Sequence, residues 1–238
     1  MKTQPNTATT VVLAHAAWAD GSSWSKVIAG LQREGINAAS VQLPLTSLLE
    51  DSEAIRRVLG RLEGSAIVVG HSYGGAPMTA AATGVSKVKG LVFVAAIAPD
   101  EGETVGELLH RATPHPLSAK LAPDSDGFLW MSAEGFANSV APNATSAEIA
   151  LMATVQRPIA LRCLGEAMTK PAWREKPSWF LVAEEDRQIV PETQRFMAER
   201  MNARLDARKV DHSPNVTAPE LVVTLIRRAI EETDHRGD

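Results

Sequence analysis

Ser72 is the side chain whose neighbours in the sequence most clearly indicate a chemical role. It lies in the pentapeptide Gly70-His71-Ser72-Tyr73-Gly74, which follows an apolar run at 66–69 and precedes Gly75 and a run of small residues. A serine hydroxyl becomes a useful nucleophile when a tight strand-to-helix turn lifts its Oγ towards a histidine and beside free backbone N–H groups. Glycines permit that turn because its backbone is strained and the next helix passes close by. The pattern therefore predicts a nucleophile elbow at Ser72.

A serine nucleophile needs a base, and His212 is the candidate. With Asp211 it follows the last predicted strand, and ligands of open parallel sheets bind outside the carboxyl ends of the strands. His15 ends the first predicted strand and is expected to brace the loop after it. His71 adjoins the serine but projects differently, so we expect it to pack or to make a structural hydrogen bond.

A carboxylate must hold the base in the right tautomer, and Asp186 is the preferred candidate. It follows the fifth predicted strand, and the order serine, acid, histidine is typical of α/β sheets with this elbow. Glu184 and Glu185 are immediate alternatives, and Asp100, after the fourth strand, is another. Asp211 adjoins the base and should point elsewhere, as a solvated turn residue.

The negative charge that develops on a substrate oxygen needs two preorganised donors. We expect one to be the backbone N–H of Tyr73, the residue after the nucleophile. The other should come from the loop after the first strand, His15-Ala16-Ala17-Trp18, where the N–H of Ala17 is favoured. Trp18 either lines the adjacent pocket or packs against the first helix.

The elements that must position these groups alternate between strands and helices, a pattern typical of parallel βαβ units. Strands are predicted at 10–15, 38–42, 66–70, 88–95, 178–183 and 205–210. Helices are predicted at 22–32, 48–62, 76–83, 192–201 and 219–230. The sequence thus predicts an α/β fold with a six-stranded, mostly parallel sheet flanked by helices.

The alternation stops between residues 99 and 171, where prolines and helix formers are frequent and no β-rich run occurs. We interpret 99–171 as an inserted helical cap, and 1–98 with 172–238 as the α/β core. Large apolar side chains in and beside this segment could fold over Ser72. With Trp18, the residues predicted to line the pocket are Phe128, Trp130, Met131 and Trp173.

Composition limits the partners. Of the 238 residues, 45% are hydrophobic and 22% charged, and the formal net charge is −4, so neither nucleic acid nor an anionic membrane surface is indicated as a partner.

Cys163 is the single cysteine, so no intrachain disulfide exists, and we expect it to be a small buried hydrophobe. The apolar run 11–15 is short and contains a histidine, which predicts a strand rather than a signal-peptide core. We therefore expect a cytoplasmic location.

At these residues the chain resembles the α/β-hydrolases, and within them the small bacterial carboxylesterases related to plant methylesterases and hydroxynitrile lyases. The resemblance covers nearly the whole chain, and beyond the elbow its motifs stand at 15–24, 156–159, 177–179, 186–191 and 211–213. It implies a triad of Ser72, Asp186 and His212, a helical cap, and neither a metal nor an organic cofactor. Relatives usually have His-Gly where this chain has His15-Ala16.

Three functions are open at this point. The leading hypothesis is a serine esterase that acts on small or medium carboxylic esters through an acyl-enzyme. A lyase is the alternative, but in the hydroxynitrile lyases a lysine follows the catalytic histidine, and a hydroxyl residue follows the first-strand histidine. Here those positions hold Ser213 and Ala16. A slow-turnover ligand-binding protein on the same fold is the third hypothesis, which the complete candidate triad disfavours.

Overall fold

The computed structural model describes residues 9–234, so the first and last residues of the predicted core, 1–8 and 235–238, lie outside the described part. The strands within it are β1 (Thr10–Ala14), β2 (Asn37–Val41), β3 (Ala66–His71), β4 (Val88–Val94), β5 (Phe128–Leu129), β6 (Ile159–Ala160), β7 (Ser178–Ala183) and β8 (Arg204–Arg208). Six of them form one sheet in the order β2-β1-β3-β4-β7-β8, and every neighbouring pair is parallel. The prediction of a six-stranded parallel sheet is confirmed, with strand ends that differ by no more than two residues.

Ten α-helices connect and flank the strands of residues 9–234. They are α1 (Ser25–Arg33), α2 (Leu48–Gly60), α3 (Gly75–Ala82), α4 (Val105–Leu109), α5 (Ala133–Gly135), α6 (Ser146–Val155), α7 (Leu161–Gly165), α8 (Pro191–Arg200), α9 (Pro214–Thr217) and α10 (Pro219–Asp234). The predicted helix 22–32 is divided into a 3₁₀ turn, Gly21–Trp24, and α1. This division follows from Asp20, whose side chain accepts the N–H of Ser22 and so starts the turn early.

Two apolar layers hold the helices on the sheet. Successive side chains of a strand point to opposite faces. In β1, Val12 therefore joins the cluster on one face, while Val11 and Leu13 join the cluster on the other. Every residue of β3 and β7 is buried, as expected where helices cover both faces of a parallel sheet. The carboxyl ends of β3 and β7 are thus held in place by packing on both faces of the sheet.

Residues 99–171 contain more than helices. Within them β5 and β6 pair as a separate antiparallel ladder of two residues each, which corrects the expectation of no strand in this segment. Two-residue strands are too short for a readable alternation, and tertiary contacts fix them, such as the bond from the Ala160 N–H to the Leu45 carbonyl. Across residues 9–234, none of the helices combines the length and apolar character needed to cross a membrane.

Candidate active site

Ser72 stands at the sharp turn between β3 and α3. Its backbone φ is +51°, a left-handed conformation that non-glycine residues rarely adopt. A Cβ added to Gly74 would lie 2.6 Å from the carbonyl oxygens of Ala14 and His15, and one on Gly75 would lie 2.4 Å from that of Ile97. Glycine is therefore required where the turn passes β1 and the loop after β4.

His212 meets the hydroxyl of Ser72 across the carboxyl edge of the sheet. Its Nε2 lies 2.8 Å from Ser72 Oγ, and its Nδ1 lies 2.7 Å from Oδ2 of Asp186. Because a carboxylate only accepts, Nδ1 carries the proton and Nε2 is left to accept the serine O–H. Both side chains are buried, so this orientation is shielded from water. The structure brings together the three residues predicted for catalysis.

Asp186 is held by its own set of donors. Its Oδ1 accepts the backbone N–H groups of Gln188 at 2.7 Å and Ile189 at 2.9 Å. Besides His212, its Oδ2 accepts the side-chain amide of Gln194 at 2.7 Å. The side-chain oxygen Oε1 of Gln194 in turn accepts the N–H of Ala183 at the end of β7. These bonds fix the carboxylate, and Gln194 is a contributor that the sequence analysis missed, because nothing in its local sequence marks it.

The alternative acids lie elsewhere. Glu184 pairs with Arg195, Glu185 is exposed, and Asp100 pairs with Arg174 at 2.7 Å. None of them is bonded to His212, whose Nδ1 is taken by Asp186.

Asp211 is buried, which corrects the expectation of a solvated turn residue. Its Oδ2 accepts the N–H of Asn143 at 2.9 Å, and its Oδ1 accepts from the Ser213 N–H and the Thr217 hydroxyl. The acceptor next to His212 therefore ties the loop of the base to residue 143, a distant part of the chain that the sequence could not place beside it.

The two remaining histidines near Ser72 brace the backbone. His15 Nδ1–H donates to the Ala16 carbonyl at 2.8 Å, and its Nε2 accepts the Leu43 N–H at 2.9 Å. His71 Nε2–H donates to the carbonyl of His212 at 2.7 Å. Burial lowers the pKa of His15 to about 4 and that of His71 to about 3, so both rings are neutral at pH 7. Both roles agree with the expectation from the sequence.

The side chain of Tyr73 is anchored away from the serine. Its hydroxyl donates to Oδ2 of the buried Asp51 at 2.5 Å, and the N–H of Leu45 donates to Oδ1 at 2.7 Å. Burial raises the pKa of Asp51 to about 6. Cys163 is buried, as expected, and its thiol also contacts this carboxylate, at 3.8 Å. Burial raises the pKa of that thiol to about 12, so it stays protonated.

The residues that carry the candidate oxyanion donors line the same cavity as the serine. Tyr73 is the second residue of the 3₁₀ turn Ser72–Gly74, and amides at the start of a helix have no partner within it. Ala17 lies in the loop after β1, whose path His15 fixes. Both residues line a cavity together with Ser72 and His212.

This reaction cavity has a volume of about 320 Å³. Its walls come mostly from apolar residues, many of them between residues 105 and 164, such as Val105, Leu109, Leu121, Ile159 and Leu164. Segment 99–171 therefore covers the end of the sheet where Ser72 lies. No lysine or arginine of the described chain lines the cavity.

Of the predicted pocket residues, Trp18 lines the reaction cavity and four others lie outside it. Phe128 is half-buried in the ladder with Ala160. Trp130 is 52% exposed because its ring N–H donates to Oδ2 of Asp124.

The last two of these predicted residues are buried in apolar clusters. Met131 packs with Phe136 and Val140, and Trp173 packs in the main cluster, with its ring N–H bonded to the Pro99 carbonyl at 2.9 Å. Within residues 9–234, no three His, Cys, Asp or Glu side chains come together as a metal-binding group.

A comparison with protein families shows which family the chain belongs to. The model described as "Alpha/beta hydrolase family" matches residues 11–225. The chain belongs to the α/β-hydrolase family. The resemblance inferred from the elbow and from the residues around 15, 186 and 212 is thereby confirmed.

Individual family members resemble the chain over most of its length. An α/β-hydrolase of Aspergillus novofumigatus, nvfD, is 28% identical over 229 residues, which cover 87% of this chain and 90% of that protein. The crystal structure of polyneuridine aldehyde esterase superimposes with a TM-score of 0.81 at 18% identity, covering 93% of this chain and 99% of the other. A methylesterase from Arabidopsis gives a TM-score of 0.77 at 18% identity, over 94% and 99% of the two chains. At these identities the solved structures show a common fold.

Proposed function

We propose that the protein is a serine esterase that hydrolyses small to medium, neutral carboxylic esters. The observation that carries this proposal is the continuous line of hydrogen bonds from Asp186 through His212 to Ser72, which ends at the wall of an apolar cavity. A base-activated serine beside an apolar cavity is suited to acyl transfer. Two relatives named above are called esterases, which agrees with this chemistry.

The first half of the reaction acylates the serine. Ser72 Oγ attacks the ester carbonyl carbon while Nε2 of His212 takes the hydroxyl proton. The negative charge on the former carbonyl oxygen is stabilised by the N–H groups of Ala17 and Tyr73. When the tetrahedral intermediate collapses, the protonated His212 gives its proton to the departing alkoxide. An alcohol leaves, and the acyl group stays on Ser72.

The second half releases the acid. Water takes the place of the alcohol and attacks the acyl carbon while Nε2 of His212 removes its proton. Collapse of the second intermediate returns the proton to Ser72 Oγ and frees the carboxylic acid. Throughout, Asp186 stabilises the imidazolium without taking its proton.

The cavity supports a preference for neutral substrates of limited size. Its walls are largely apolar, no lysine or arginine of the described residues lines it, and its volume is about 320 Å³, which lies at the lower end of small-molecule sites. Soluble butyrate esters should therefore be turned over faster than emulsions of long-chain triglycerides.

The surroundings of His212 support hydrolysis over the lyase alternative. The residue after it is Ser213, whose side chain is buried and donates to the Val140 carbonyl at 2.9 Å. A lysine holds this position in the hydroxynitrile lyases, where it helps to bind cyanide. Here no cation stands at that place to stabilise a cyanide anion.

A panel of p-nitrophenyl esters graded by acyl length tests the proposal. Wild-type protein should hydrolyse the short members, and Ser72→Ala should abolish that activity. Ser86→Ala is the matched control, because Ser86 is an exposed serine in a turn; it should behave as wild type. No hydrolysis by folded wild-type protein, or equal hydrolysis by Ser72→Ala, would refute the esterase.

A further inference from the structure

Trp18 separates two hollows of the molecule. On one side Trp18 lines the reaction cavity with Ser72 and His212. On the other side it lines a groove of about 140 Å³, here called the outer groove. The outer groove runs between the segment 19–26 and α6, and its wall includes Ser22, Lys26 and Leu151.

The position of the Trp18 indole is fixed at some energetic cost. The backbone φ of Trp18 is +56°, which is an outlier for a bulky residue and is kept where the surroundings enforce it. The ring N–H donates to the Leu129 carbonyl at 3.0 Å, and the side chain packs against both the main apolar cluster and the cluster around Met131. The ring is therefore a fixed wall.

The outer groove offers apolar surface to a ligand. None of the residues of α6 is buried, and Leu151 and Val155, which line the groove, are 59% and 37% exposed. The opposite rim is polar, with Ser22 and Lys26, and Lys26 forms an ion pair across the groove with Glu148 of α6 at 2.5 Å. The groove has room for an aliphatic chain that contacts the apolar side chains of α6 on one side and the polar rim on the other.

We propose that Trp18 sets the upper size limit of the ester. The outer groove is an extension subsite for an aliphatic tail, and the indole of Trp18 separates this groove from the reaction cavity. This inference rests on the proposed esterase function. In the native protein the indole ends the cavity, and short to medium esters are favoured. Removing the indole joins the two hollows and admits longer substrates.

The test compares wild type with Trp18→Ala and Trp18→Gly on two ester series. One series extends the acyl chain of p-nitrophenyl esters, and the other extends the alcohol of alkyl butyrates. In at least one series, kcat/KM relative to the shortest ester should rise by about fourfold for each methylene that enters the groove. Trp18→Gly is included because glycine adopts a positive φ without strain.

Trp130→Ala is the matched control. Trp130 is also a tryptophan with a bonded ring N–H, but it is exposed and lies outside the reaction cavity. Its length profile should equal that of wild type. Leu151→Glu added to Trp18→Ala should remove the gain for long esters, because a carboxylate then faces the tail. A gain that persists in this double variant would show that the tail lies elsewhere and would overturn the subsite.

Failure of the inference can be separated from failure of the esterase. If wild type hydrolyses short esters and both Trp18 variants keep an unchanged length profile, Trp18 does not set the size limit, while the proposed esterase function is retained. For variants with too little turnover, calorimetric binding of 2-alkanones, unreactive ketone analogues of the esters, gives the same comparison. Affinity that grows with chain length in the folded Trp18 variants beyond that of wild type supports the subsite, and equal affinities overturn it.

Discussion

The hydroxyl of Tyr73 donates a 2.5 Å hydrogen bond to the buried carboxylate of Asp51. Tyr73 follows Ser72, so its backbone N–H is a proposed oxyanion donor while its side chain is tied to α2 through Asp51. The bond thus joins the elbow to a helix on the face of the sheet.

Tyr73→Phe should destabilise the protein and lower kcat more than it raises KM. The substitution removes a donor from a buried carboxylate, which costs about 1–3 kcal/mol, and loosens an amide that acts chiefly in the transition state. Urea unfolding and steady-state kinetics measure the two effects. Unchanged stability and kcat would show that the bond holds nothing in place.

Ser72→Ala and His212→Ala should each lower kcat by about 10⁶-fold, and the double variant should lose little more. The reason is that the base has no proton to take without the serine, and the serine stays protonated without the base. Comparing kcat of the three variants on one short ester measures this. Losses that multiply in the double variant would mean that His212 is not the base for Ser72.

Asp186→Asn should keep the fold and lower kcat by about 10⁴-fold. An amide can donate to Nδ1, which would select the wrong imidazole tautomer and remove the lone pair that accepts the serine proton. Asp100→Asn is the matched control, since Asp100 pairs with Arg174 at the protein surface and should retain near-normal turnover. The reverse result would place the acid one strand away.

The stability of the protein should fall in acid partly because of His71. Burial lowers its pKa to about 3 in the folded state from 6.5, so below pH 6.5 the unfolded chain binds the proton that the folded chain refuses. Above pH 6.5 the His71 ring is neutral in both states and does not lower the free energy of unfolding. As the pH falls from 6.5 towards 3, the free energy of unfolding decreases progressively, because only the unfolded chain binds the proton.

His71→Gln should therefore reduce the acid dependence of the free energy of unfolding. Urea unfolding at pH 7.5 and pH 5 measures the difference between wild type and variant at each pH. The wild type should lose more free energy of unfolding between these values than the variant loses. Equal losses would contradict a buried, neutral His71.

The sheet could be predicted because β3, β4 and β7 are short apolar runs with turn residues after them, and the position of a residue at a strand end is sufficient to bring Ser72, Asp186 and His212 to one edge. The cavity wall could not be predicted. The residues around Leu121 show neither a helical nor a strand periodicity of apolar side chains. Single hydrogen bonds decide where nearby side chains lie, as the bond from Trp130 to Asp124 keeps the Trp130 ring at the surface. The expectation of a solvated Asp211 is wrong because its partner, the N–H of Asn143, is distant in sequence.

Covalent labelling tests the central claim most directly. Intact wild-type protein treated with a fluorophosphonate at neutral pH should gain one adduct, and peptide mass spectrometry should locate it on Ser72, because only a base-activated serine reacts quickly. Ser72→Ala and His212→Ala should remain unlabelled, and Ser86→Ala should label as wild type. An adduct on another residue, or no adduct on folded protein, would contradict the assignment of Ser72 as the nucleophile.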